Sequence, residues 1–126
     1  MTDQFTDSID KGRFKVILCA IASGEDLSVI IGGGEKPHIG AVIIARPDKE
    51  SKKVSYTTWT DIGHKDDIVA KEAATELVNV LNKNVVVIAG LHVDNATQED
   101  INRLIKNSSS LVKNLLASDF FKGLII

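Results

Sequence analysis

The chain has 126 residues, a length that fits one compact domain and excludes two of ordinary size. Apolar residues make up 44% and charged residues 25%, so composition allows a core and argues against disorder. Fifteen Lys and Arg face seventeen Asp and Glu for a formal charge of -2, which excludes the basic surplus behind a general grip on nucleic acid.

The lone cysteine, Cys19, cannot form an internal disulfide, so a reducing cytoplasm is the expected compartment. The first residues are polar and carry Asp3, Asp7 and Asp10, with no apolar run of signal-peptide length. No run reaches the ~18 apolar residues that span a membrane. The expectation is one domain over residues 1–126, with residues 1–11 a loose or edge-lying start.

From Arg13 the pattern alternates, with Phe14, Val16, Leu18 and Ala20 on one side. Period two predicts a strand. Ala22-Ser23-Gly24-Glu25-Asp26 reads as a hairpin turn, and 27–31 as the return strand. Gly32-Gly33-Gly34 is expected to break it. Residues 39–46 and 54–60 read as two further strands around the charged turn that starts at Pro47-Asp48. The four strands are expected to form an antiparallel meander.

The period then changes. Val69, Ala73, Leu77 and Val80 recur at helical spacing and predict a helix over 66–82. The continuous apolar run 85–91 predicts a central strand buried on both faces. Thr97 is placed to cap a second helix with acids in its first turn. Ser108-Ser109-Ser110 is expected to weaken or bend that helix. The apolar end Gly123-Leu124-Ile125-Ile126 is expected to dock on the core or to meet another subunit. The fold class is α+β: a mainly antiparallel sheet covered by helices.

All three histidines fall at junctions between elements. His38 precedes the third strand, His64 stands at the mouth of the first helix, and His92 follows the central strand. Junctions at a sheet end commonly carry ligands, so the three are expected to converge at one end of the sheet. The same residues have a structural reading. Gly63 and Gly90 permit turns, Asp66 and Asp67 stabilise a helix start, and Asp94 or Asn95 turns the chain. The glycine run lacks the Gly-Lys-Ser/Thr ending of a nucleotide loop and leads to no helix, which disfavours nucleotide hydrolysis and dinucleotide binding. No nucleophile elbow, His-Glu-x-x-His helix or Cys-x-x-Cys pair occurs. Trp59 suits core packing or stacking on a planar ligand.

Three segments at these junctions carry a resemblance. They are Gly33-Gly34-Glu35-Lys36-Pro37-His38-Ile39-Gly40-Ala41-Val42, then Gly63-His64-Lys65-Asp66-Asp67, then Ala89-Gly90-Leu91-His92-Val93-Asp94-Asn95-Ala96-Thr97. In this order they resemble the prenylated-flavin chaperones of the LpdD-like family, bacterial relatives of proteasome assembly chaperones. The resemblance implies a proteasome-assembly-chaperone-like fold and a homodimer. It implies an accessory chaperone, not an enzyme, that holds reduced prenylated flavin mononucleotide and helps deliver it to a UbiD-type decarboxylase. A flavin prenyltransferase is a further partner under that reading. It carries cofactor contacts to His38, Gly40, His64, Lys65, Asp66 and Asn95.

The flavin phosphate is a dianion, which Lys65 and the first N–H groups of the helix could meet. Asp66 and Asp67 oppose it by like charge. That opposition motivates a divalent cation, Mn or Zn, on His64, His92 and Asp94. Two other functions compete: an assembly-chaperone-like interaction module without a cofactor, and a metal-dependent enzyme that activates water.

Overall fold

In the computed structural model, residues 3–61 and 66–125 are described. Strands β1 (Gln4–Ile9), β2 (Val16–Ser23), β3 (Asp26–Gly34), β4 (Ala41–Pro47) and β5 (Val54–Thr60) come first. Helix α1 (Asp66–Leu81), strand β6 (Val85–His92) and helices α2 (Gln98–Ala117) and α3 (Asp119–Ile125) follow. The α+β class is as expected. Among the described residues no helix is long and apolar enough to cross a membrane.

The meander is not. The six strands run in the order β1-β2-β3-β6-β4-β5. β2 pairs with β3 and β4 with β5, but β6 lies between the two hairpins, parallel to β3 and antiparallel to β4. The two-residue turn between β2 and β3 fixes that hairpin locally, whereas the links 35–40 and 48–53 are equally long, so length alone does not decide which strands pair. β6 is apolar at successive positions, so an interior place in the sheet removes most apolar surface from water. Its interior position is as expected.

Burial of β6 on both faces is corrected. Val85, Val87 and Ala89 are at most 1% exposed, but Val86 and Ile88 are only half-buried. The helices cover one face alone. The start of the chain, read as loose or edge-lying, is the edge strand β1, in register with β2 from Gln4 opposite Ile21 to Ile9 opposite Val16. The glycine run does not break β3 either: Gly32 and Gly33 continue it and pair with Gly90 and Leu91.

Thr97 caps α2 with a complete capping box. Its hydroxyl accepts the Asp100 N–H, and the Asp100 carboxylate accepts the Thr97 N–H. The serine run leaves α2 continuous. The buried Ser108 returns its hydroxyl proton to the Leu104 carbonyl at 2.9 Å, which keeps the group satisfied inside the helix. The C-terminal end docks as α3, but its anchor is upstream of the expected tail. Phe121 is fully buried, and Phe120 stacks on Phe5 of β1 at 6.2 Å between ring centroids.

Candidate functional site

β3 and β6 run parallel, so both deliver their carboxyl ends to the same end of the sheet, with Gly34 opposite His92. The connection from β3 to β4 folds back over that end. Glu35 N–H donates to the His92 carbonyl at 2.7 Å, and Gly40 N–H donates to the Ala89 carbonyl at 2.9 Å. Close approach requires glycine here. A Cβ at Gly90 would enter the His38 carbonyl, and one at Gly40 would enter the Asp66 carboxylate.

This packing brings His38 and His92 together, with rings edge to face and centroids 6.4 Å apart. His38 Nδ1 lies 2.9 Å from the Lys36 carbonyl, and its Nε2 lies 3.3 Å from Asp66 Oδ2. Asp66 is buried at the first position of α1, where its Oδ1 accepts the Leu91 N–H at 2.9 Å. The carboxylate is therefore aimed at β6 and His38, not outward.

On the outer side, His92 Nε2 lies 2.9 Å from Asp94 Oδ1, and Lys36 Nζ reaches the same oxygen at 3.2 Å. The His92 hydrogen bond and then Lys36 hold the Asp94 carboxyl below its ordinary value. Arg13 donates to the Asp94 carbonyl, and Glu35 accepts the Asp94 N–H. Sequence reasoning did not single out Arg13; its role comes from a contact between residues far apart in the chain.

The two histidines that can be compared do converge. His64 and Lys65, expected at the same site, lie outside the described residues. Gly40 is in place as a close-packing residue. Asn95 is exposed at φ 54°, a turn conformation that Asn tolerates, which matches its structural reading. One member of the expected cation set, His64, lies outside the described residues. His92 and Asp94 are spent on each other and on Lys36, and among the described residues no group of three His, Cys, Asp or Glu converges.

Beside the histidines, a cleft of about 400 Å³ opens between α1, the end of β6 and α2. Asp66 and His92 stand at one side, and Leu91, Ile101, Leu104 and Ile105 supply apolar walls. The volume falls in the range of small-molecule sites, and the lining has their character of apolar walls with few polar groups. Such a cleft can cover a flat apolar ring while leaving a charged end at the histidine-bearing loops. Sequence periodicity marked Ile101, Leu104 and Ile105 as an inner helix face without showing that part of it lines a cleft.

The fold is that of a proteasome assembly chaperone. A crystal structure of a chaperone complex for yeast 20S proteasome assembly superposes with a TM-score of 0.59 at 16% identity, covering 99% of this chain and 100% of that one. The prenylated flavin chaperone LpdD-like domain matches residues 10–118, and the chain belongs to that family. It is 24% identical over 94 residues to Protein LpdD of Lactiplantibacillus plantarum, across 75% of this chain and 69% of that protein.

Proposed function

We propose that the chain is a carrier for reduced prenylated flavin mononucleotide, held between α1, the end of β6 and α2 and passed to a UbiD-type decarboxylase. It does so as an accessory chaperone, not as an enzyme, and as a homodimer. Membership of the prenylated-flavin chaperone family carries the reading. The apolar cleft beside His92 and Asp66 supports it as a place of suitable size.

The ring system lies against Leu91, Ile101 and Ile105, where its burial supplies most of the affinity. The phosphate lies toward His38, His92 and residues 64–65, with Lys65 as its cation. No metal is needed for charge balance at Asp66, whose carboxylate is turned inward to the Leu91 N–H and His38. The cofactor supplies decarboxylation chemistry only in the partner enzyme; this chain binds, orients and shields it from water.

The test is an anaerobic titration of reduced prenylated flavin mononucleotide into wild type, His38→Ala, His64→Ala and His92→Ala, with and without chelator. Each variant is expected to bind about tenfold or more weakly while remaining folded. Chelator is expected to change nothing. Equal affinity in all four proteins would remove these residues from the site. Loss of binding in chelator would restore the cation.

A further inference from the structure

β4 starts beside the histidine-bearing loops, where Ala41 pairs with Ala89, and ends at Pro47. The turn from β4 to β5 therefore lies at the far end of the sheet from His38 and His92. Backbone hydrogen bonds close that turn. Asp48 N–H donates to the Lys53 carbonyl and Lys52 N–H to the Asp48 carbonyl, both at 2.8 Å. Between the turn and the C-terminal end of α1 lies a cavity of about 330 Å³. Lys49, Lys52 and Lys53 line it from the turn, and Asn79 and Asn82 line it from the end of α1 and just past it.

The charge around this cavity is one-sided. Residues 46–53 carry four cations and two carboxylates, in a chain whose formal charge is -2. Asp48, a carboxylate on the cavity wall, is turned back into its own loop. There it accepts the Glu50 N–H at 3.0 Å and the Ser51 N–H at 3.4 Å. Among the described residues Lys36 and Lys83 reach the carboxylates of Asp94 and Glu25, whereas Lys49, Lys52 and Lys53 form no ion pair. Three ammonium groups on one concave wall repel one another, and an anion between them turns that repulsion into attraction. Lys52 also stands at φ 59°, a left-handed conformation that glycine or asparagine takes more readily. Asn82, across the cavity at φ 56°, is such a residue. Lys52 keeps a long cationic side chain where glycine would fold with less strain.

We propose that this cavity binds a compact small molecule bearing two or more phosphate or carboxylate groups. Its anionic groups lie on the lysine side, because the C-terminal end of α1 carries partial negative charge. The side-chain amides of Asn79 and Asn82 donate to its oxygens from the opposite wall. The volume falls within the range of small-molecule sites. Concavity favours such a ligand over an extended acidic segment of a protein, which an open basic stripe would serve better. The site is separate from the cleft between α1, β6 and α2 and does not depend on the carrier reading.

The experiment is calorimetric titration of the full chain at low ionic strength, with inorganic pyrophosphate, citrate and a polyglutamate peptide as the three probes. Wild type is expected to bind pyrophosphate or citrate at one site, and the tighter of the two assigns phosphate or carboxylate chemistry. Salt at about 0.5 M is expected to weaken that binding by about tenfold or more, because it screens exposed charge. Lys49→Gln, Lys52→Gly and Lys53→Gln are each expected to weaken it by about fivefold or more. Glycine suits the backbone at position 52, so the thermal melt of Lys52→Gly is expected to hold or rise, which separates loss of the ligand from loss of the fold. No saturable binding of either small anion up to about 10 mM would overturn the site. Unchanged affinity in all three lysine variants, or binding of polyglutamate alone, would do the same. So would pyrophosphate binding that His92→Ala loses and the lysine variants keep, which would give the anion to the cleft beside the histidines.

Discussion

Asp66 Oδ1 accepts the Leu91 N–H at 2.9 Å, which ties the first residue of α1 to the last turn of β6 across 25 positions of sequence. The bond satisfies a backbone donor at the end of an interior strand and fixes one wall of the cleft. Asp66→Ala leaves that donor without its acceptor. The expected cost is about 1–3 kcal/mol, measured as a loss of stability in urea unfolding. Asp66→Asn keeps an acceptor oxygen and is expected to lose less. Equal losses in both variants would assign the effect to charge and not to the Leu91 bond.

Glycine substitutions separate close packing from open space. Gly90→Ala and Gly40→Ala drive a methyl group into the His38 carbonyl and the Asp66 carboxylate, respectively. Both are expected to destabilise by about 2 kcal/mol or more, read from thermal melts, because the His38 backbone must move in the first and the buried Asp66 carboxylate in the second. Gly123→Ala meets no atom within 4 Å and lies within α3. It is expected to be neutral, or to stabilise by about 0.4–1 kcal/mol.

Acid stability is set in part by Asp10. Its carboxylate accepts Arg103 Nε and Nη2 at 2.8 and 2.7 Å and Asn107 Nδ2 at 2.9 Å. Arg103 above all, then Asn107, holds the carboxyl well below its ordinary value of 3.8. A folded value below the unfolded one gives stabilisation that is complete above the ordinary carboxylate range. It is lost as pH falls through about 4 and below. Urea midpoints measured from pH 7 downward are expected to drop in that window for wild type. Asp10→Asn is expected to start lower and to drop less. Parallel curves would show that Asp10 is not the group responsible.

Phe121→Ala tests the C-terminal helix. The ring is fully buried although it follows the end of the long α2. Its loss is expected to cost about 3–5 kcal/mol by urea unfolding. A loss under 1 kcal/mol would mean that α3 folds independently of the core.

Filling the cleft separates shape from the histidines. Ile101 lines it from α2 and is only partly buried. Ile101→Trp is expected to lower affinity for reduced prenylated flavin mononucleotide by about tenfold or more while leaving the melting temperature within a few degrees. Unchanged affinity would move the ring out of this cleft.

Local chemistry decided much of this protein before any folding. Period two in β2, the helical spacing of Val69, Ala73 and Leu77, and the Thr97 cap each depend on neighbours within a few residues, so each is legible in the chain. The convergence of His38 and His92 followed from their places at element ends. Strand order was different. A hairpin is written in its turn, but the insertion of β6 between β3 and β4 depends on which strand gains most from two neighbours, a comparison across the whole sheet. The same limit hid the uncovered face. Ile30 and Val29 are both apolar, yet only the placement of the helices makes one core and leaves the other exposed. Tertiary structure also decided that Asp66, a helix-start acid by sequence, holds Leu91 and His38. Burial and pairing belong to distances between segments, which a one-dimensional pattern does not contain.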